Sequence, residues 1–287
     1  MRVAITAASG QLGAAVVAAA VAQLGSQDVV ALARTPAKAE HLGVEVRPGD
    51  YDDRAALTRS LAGIDRVLLI SGMAAPEDRI GQHRNVIEAA KTAGVSRIVY
   101  TSIQGPETGT AFSPIVASNR QTEEDVRASG LEWTIGRNGI YIEPDVEYVE
   151  TYREQGEIAN SAADGRCGYT TRAELAHAYA RLLTGSTTLG RTYLLNGAPL
   201  TQAELADHLN EAFGLSLRYR EMGVEEYRQE RVAALGEFMG TVIGGIYEGI
   251  RGGAYDTPGD YEAATGRPHQ SWDDYFAALR AADPARA

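Results

Sequence analysis

The residues Thr6-Ala7-Ala8-Ser9-Gly10-Gln11-Leu12-Gly13 have the types and spacing to hold a phosphate. They follow a short apolar run, Val3-Ala4-Ile5, and lead into the alanine-rich stretch Gln11 to Leu24. In a strand–turn–helix unit of this kind, Gly10 lets backbone approach a pyrophosphate. Gly13 lets the helix pack closely on the strand, and the helix N-terminus turns free N–H groups and a positive dipole end toward the anion. Ala7 stands where a first glycine is usual, and its methyl is expected to fit if that residue keeps a negative φ.

A second strand, Asp28 to Ala33, comes at the right distance to end beside an adenosine ribose. Proteins that bind NAD place an acid there for the 2′-hydroxyl. This chain has Arg34-Thr35-Pro36-Ala37-Lys38 instead. Arg34 and Lys38 suit a 2′-phosphate and Thr35 can add a hydrogen bond, so the expected cofactor is NADPH. Asp50 either accepts from the adenine amino group or caps the following helix.

Three strand ends place small and polar residues after apolar runs: Ile70-Ser71-Gly72, Tyr100-Thr101-Ser102 and Arg137-Asn138-Gly139. Ligands of an open α/β sheet bind along that edge. Proton-transfer signatures are absent from the sequence: no Tyr-x-x-x-Lys dyad, no His-rich metal pattern and no Gly-x-Ser-x-Gly elbow. No metal is expected, and His83 is read as a packing histidine. Hydride delivery to a quinone suits such a site, because the hydroquinone anion can take its proton from water. Ser102, Asn138 and Tyr141 are the candidate catalytic donors for the developing oxyanion. The candidate cofactor contacts are Thr6, Ala8, Ser9, Gly10, Gln11, Leu12, Gly13, Arg34, Thr35, Lys38, Asp50, Ser71, Gly72 and Arg137.

Positioning these residues requires alternating strands and helices. Strands are expected at Val3–Thr6, Asp28–Ala33, Val44–Val46, Arg66–Ile70, Arg97–Ser102, Leu131–Ile135 and Thr192–Leu195. Helices are expected between them, with capping boxes at Thr171-x-x-Glu174 and Thr201-x-x-Glu204. The fold class is therefore α/β, a Rossmann-type doubly wound parallel sheet with a smaller C-terminal α/β substrate lobe. The dinucleotide-binding domain is placed at 1–137 plus about 166–196, and the lobe at 197–287 plus about 138–165. In the lobe, Phe238, Met239, Ile243 and Tyr247 recur near helical spacing and can line a cleft. Gly240, Gly244 and Gly245 among them suggest a mobile lid.

The 287 residues carry a net charge of −11, which disfavours nucleic acid or an anionic membrane surface as partner. The longest apolar run, Leu12 to Ala22, is too short to span a bilayer. The single cysteine, Cys167, excludes an intrachain disulfide and fits a reducing cytoplasm. A small-molecule substrate and a homodimer are the expected partners.

The sequence resembles the NmrA-like branch of atypical short-chain dehydrogenases/reductases, with the pattern of bacterial NADPH:quinone oxidoreductases and triphenylmethane reductase. The matching stretches are Ile5–Gly13, Arg34–Ala39, Val67–Ser71, Gln82–Ile87, Tyr100–Ser102, Arg137–Gly139, Thr171-Arg172, Gly252-Gly253 and Gly266–Pro268. The resemblance implies an NADP(H) domain and a C-terminal lobe with a substrate cleft between them. It places Gly10, Gln11, Leu12, Arg34 and Lys38 at the cofactor's phosphates and ribose, and Ser71, Arg137 and Asn138 near the nicotinamide. Asn119 and Glu124 stand where relatives in the quinone-reductase group have His and Lys. Two functions remain open: an NADPH-dependent reductase of quinones or similar electrophiles, and a non-catalytic NAD(P)-sensing regulator that binds a protein partner.

Overall fold

The computed structural model describes residues 1–185 and 189–282; residues 186–188 and 283–287 of the expected domains lie outside them. In chain order the first half holds β1 (Val3–Ile5), α1 (Gln11–Leu24), β2 (Val29–Ala33), β3 (Glu45–Pro48), α2 (Arg54–Ser60), β4 (Arg66–Ile70), α3 (Pro76–Ala93), β5 (Arg97–Ile103), α4 (Ser113–Arg127) and β6 (Glu132–Asn138). The second half holds β7 (Ile140–Tyr141), α5 (Glu143–Glu147), α6 (Val149–Gln155), β8 (Glu157–Asn160), β9 (Tyr169–Thr170), α7 (Arg172–Thr184) and β10 (Arg191–Leu195). It continues through α8 (Gln202–Phe213), β11 (Arg218–Glu221), α9 (Val224–Leu235), α10 (Glu237–Arg251), α11 (Tyr261–Thr265) and α12 (Trp272–Ala282).

Seven strands form one parallel sheet in the order β10-β6-β5-β4-β1-β2-β3. The chain runs outward to β3 and then returns to lay β4 against β1, so the switch point falls between β1 and β4. Strands this deep must be apolar on both faces, and β2 (Val-Val-Ala-Leu-Ala) is buried at every position. Alternate side chains feed two cores. Val3, Ile5 and Val29 meet α1 and α7 through Val16, Val17 and Leu182. Ala4, Val30 and Leu32 meet α2, α3 and α4 through Leu57, Val86 and Val126. Only the edge strand β3 is largely uncovered, and it ends at Pro48, where a missing N–H donor does least harm.

A third core, including Ile142, Tyr169, Leu205, Ile250 and Phe276, builds the lobe with two short parallel strand pairs, β8 with β11 and β7 with β9. Tyr261 and Ala264 of α11 instead join the α1–α7 core. Two local expectations are corrected. Thr171 caps α7 by accepting from the Glu174 N–H, but the Glu174 carboxylate takes Arg267 rather than closing a capping box. Between β2 and β3, where a helix is expected, Pro36–Lys38 and Glu40–Leu42 form only 3₁₀ turns.

The glycines of α10 are contact points. The helix is continuous. A Cβ on Gly240 would stand 2.3 Å from the Val232 nitrogen, and one on Gly245 the same distance from the Phe112 nitrogen. These glycines let α10 lie directly on the backbone of α9 and of the segment entering α4.

Candidate active site

The phosphate-binding turn is anchored to its neighbours by backbone. Ala8 N–H donates to Leu32 O at 3.0 Å and Gly10 N–H to Ala7 O at 3.0 Å. A Cβ on Gly13 would lie 2.4 Å from the Ala7 oxygen, so helix and turn touch as expected. Ala7 departs from expectation: its φ is +48°, not negative. An alanine held there costs on the order of 1 kcal/mol, which explains why glycine is usual at this point. No side chain caps α1 at Gly10, and its first turn carries no acid. The first-turn N–H groups and the dipole end are therefore available to an anion.

Arg34, Thr35 and Lys38 are exposed just beyond the C-terminal end of β2. Among the described residues, neither Arg34 nor Lys38 forms an ion pair with an acid, so both cations are free to meet a phosphate. Asp50 accepts from the Asp52 N–H at 3.1 Å, while Asp53 caps α2 through the Ala56 N–H. The capping reading of Asp50 is thus corrected to Asp53. The Thr6 hydroxyl is committed to Tyr51 and to the Ile70 N–H at 2.9 Å, and so braces β1 against β4.

Beside this turn, along the C-terminal edge of the sheet, lies a cleft of about 420 Å³. The strand ends give it Ser71, Gly72, Ser102 and Asn138; Leu12 and Tyr141 also line it. Its far wall is α10, through Phe238, Met239, Val242, Ile243 and Ile246. Of the four residues expected there, Tyr247 is turned away and packs against Tyr227. Arg137 does not line the cleft, because its side chain points to the α4 face.

Arg137 meets Glu123, which the sequence analysis did not single out. Glu123 is fully buried on α4 and collects five donors. Its Oε1 accepts from Ser102 Oγ at 2.6 Å, Arg120 Nη1 at 3.0 Å and Arg137 Nε at 2.8 Å. Its Oε2 accepts from Arg137 Nη2 at 2.7 Å and Arg127 Nη2 at 2.8 Å. Burial opposes ionisation, but the bonds from Arg137 and Ser102 and the charges of Arg120 and Arg137 outweigh it and hold the carboxyl below its usual range. The signal was present in Arg120, Glu123 and Arg127, spaced at i, i+3 and i+7 on one helix face. Glu124, by contrast, is exposed.

The three candidate donors differ in what they can still give. An ionised Glu123 only accepts, so the Ser102 proton is spent on it. Asn138 Oδ1 accepts from Tyr179, and its Nδ2 makes only a long 3.5 Å contact to the Tyr141 oxygen. Among the described residues the Tyr141 hydroxyl has no hydrogen-bond acceptor, and burial pushes its pKa up to about 12, so it stays protonated. Asn138 and Tyr141 thus retain N–H and O–H groups for a ligand.

Behind the cleft, His83 is fully buried with its pKa pushed down to about 3, by burial first and then by the charge of Arg79. As a neutral ring it accepts from the Gly72 N–H at 3.0 Å through Nε2, which leaves Nδ1–H to donate to Thr122 at 3.0 Å. It is the packing histidine expected, and it fixes the strand end. Asn119 is likewise buried, accepting from Tyr100 at 2.7 Å and Ser71 at 3.0 Å.

Comparison with known proteins bears on this edge. The NAD(P)H-binding family matches residues 7–185. Quinone oxidoreductase 2 of Escherichia coli (strain K12) is 37% identical over 231 residues, covering 78% of this chain and 79% of that protein. The structure of an NADPH-dependent quinone oxidoreductase from Escherichia coli complexed with NADPH superposes with a TM-score of 0.88 at 32% identity, over 96% of this chain and 99% of that one. Triphenylmethane reductase from Citrobacter sp., complexed with NADP(H), gives 0.88 at 31% identity, over 97% and 100%. Among the described residues no helix is long and apolar enough to cross a membrane.

Proposed function

This chain belongs to the NmrA-like family of NAD(P)H-binding proteins, and from that premise we propose that it transfers hydride from NADPH to a quinone or a similar small electrophilic acceptor. It is an NAD(P)H-dependent oxidoreductase. The observation that carries the acceptor is the cleft itself, largely apolar and set beside the phosphate-binding turn, with unspent donors at Asn138 and Tyr141.

The first-turn N–H groups of Gln11 and Leu12 hold the pyrophosphate, and Arg34 and Lys38 hold the 2′-phosphate. Ser71 and Gly72, fixed from behind by Asn119 and His83, form the floor at the strand ends. Bound NADPH supplies a hydride, which reduces the quinone by two electrons. The chain's part is to orient the acceptor between α10 and the strand ends and to exclude water from one face. As negative charge gathers on the acceptor oxygen, the protonated Tyr141 hydroxyl and the Asn138 amide donate to it. The hydroquinone anion then takes its proton from water, so no buried acid is required.

Met73, Phe238 and Met239 are exposed apolar residues, yet all three line this same cleft. That placement favours a small planar acceptor over a separate protein-docking face. Cys167 is buried and free, which suits the reducing conditions of a cytoplasm. The test is loss of nicotinamide absorbance with a panel of quinones, with NADPH and NADH run side by side. Tight NADPH binding without turnover on any acceptor would overturn the reductase reading in favour of a nucleotide sensor.

A further inference from the structure

Among the described residues, Arg79 is the one charged side chain lining the cleft. It rises from the first turns of α3 and is only 3% exposed. Other deeply placed guanidiniums in this protein have a carboxylate: Arg97 has Glu132, and Arg120 and Arg137 share Glu123. Arg79 has none among the described residues. Its Nη2 donates to the Ala74 carbonyl at 2.9 Å, its Nη1 reaches Ser118 Oγ only at 3.5 Å, and its buried Nε has no partner. The acids just before it, Glu77 and Asp78, face a different surface hollow with Asp52. A buried cation without a counter-charge is costly. In a chain of net charge −11 it is also conspicuous.

We infer that Arg79 is a specificity residue that receives an anionic group, a sulfonate or carboxylate, carried by the acceptor. This rests on the reading of the cleft as the acceptor site. The guanidinium supplies the charge complement that the apolar walls of α10 cannot. Its weakly held Nη1, 3.5 Å from Ser118 Oγ, gives a donor for a planar or tetrahedral oxyanion. Neutral quinones should enter the same cleft without using it.

The test separates charge from shape. Naphthalene-2-sulfonate and naphthalene-2-sulfonamide are nearly isosteric, are not reduced by hydride, and differ in charge. Their binding to the NADP⁺-loaded protein is measured by calorimetry. The expected result is at least tenfold tighter binding of the sulfonate to the wild type, a margin typical of a hydrogen bond to a charged group. Arg79→Gln should bring that ratio close to one, Arg79→Lys should keep part of it, and NADPH affinity should not change in either. In turnover, Arg79→Gln should lower kcat/KM for 1,4-naphthoquinone-2-sulfonate at least tenfold relative to menadione.

Equal affinity for the two ligands in the wild type, or an unchanged ratio in Arg79→Gln, would overturn the inference. Weakened NADPH binding in Arg79→Gln with the ligand ratio intact would also overturn it, assigning the guanidinium to a cofactor phosphate. If no quinone is turned over at all, the reductase reading falls while the binding ratio still decides the role of Arg79.

Discussion

Replacing Glu123 with glutamine removes one charge and almost no volume from a side chain that accepts five hydrogen bonds. The carboxylate accepts five donors, three on Oε1 and two on Oε2. A glutamine keeps one acceptor oxygen and turns the other into an N–H₂ group. The less damaging orientation keeps the Oε1 side and points N–H₂ at Arg137 Nη2 and Arg127 Nη2. A hydrogen bond to a charged group contributes about 1.5–3 kcal/mol. Side-chain exposures of 27% for Arg137 and 37% for Arg127 let water recover part of that. The expected loss is therefore about 3 kcal/mol, the lower end of the range for breaking a buried ion pair. That corresponds to a fall in Tm of about 5 °C.

The pH dependence adds a second signature. The folded-state pKa of Glu123 lies below its unfolded value, so its contribution is complete above the ordinary carboxylate range and fades as pH falls through the folded pKa. Urea melts of wild type and Glu123→Gln should differ by a constant amount at neutral pH and converge only in acid. A neutral-pH difference under about 1 kcal/mol, or a gap that stays unchanged into strong acid, would refute the reasoning.

Four further outcomes are expected. Arg34→Ala should weaken NADPH binding about 10–100-fold by fluorescence titration, as befits a lost charged contact, and leave NADH binding unchanged; equal losses for both would remove Arg34 from the 2′-phosphate. His83→Gln can keep both of its hydrogen bonds. Because the native ring resists protonation down to about pH 3, wild-type stability should fall with pH below the unfolded value of 6.5. Between pH 6.5 and 5.5 the His83 share is about 1 kcal/mol, and the variant should lack it; identical slopes would show that the ring does not stay neutral. Tyr141→Phe should lower kcat on quinones roughly tenfold or more while leaving NADPH affinity alone, and an unchanged kcat would exclude it as an oxyanion donor. Gly245→Ala drives a methyl onto the Phe112 backbone. It should lower stability by at least about 1–3 kcal/mol despite alanine's better helix propensity, and a stabilised variant would mean that α10 does not press on that segment.

The parallel sheet was legible because its strands are short apolar runs bounded by glycines and acids, a pattern with one economical solution. The phosphate turn was legible because Gly10 and Gly13 occupy a fixed spacing at a strand–helix junction. The donors at Ser102, Asn138 and Tyr141 could be brought to one edge from sequence, but not ranked. Ranking depends on where each proton goes, and that is decided by partners distant in the chain. Ser102 is spent on Glu123, 21 positions on, and Asn138 accepts from Tyr179, 41 positions on. Composition cannot report such pairings. It also cannot show that the glycines of α10 let two backbones touch.

Ala7 and Arg79 carry the same lesson in opposite directions. Ala7 looked tolerable only on the assumption of an ordinary φ; the turn forces a left-handed one, and the strain sits at the point where a dinucleotide must approach. Arg79 drew no comment from the sequence, and the absence of a carboxylate around it among the described residues distinguishes it. In both cases the environment is costly. A cost of that kind persists where the surrounding structure fixes it in place, and such sites concentrate where a ligand is held. Ala7 lies in the turn beside the cleft and Arg79 lines it, so both costly residues stand at the sheet edge that the strand order selects.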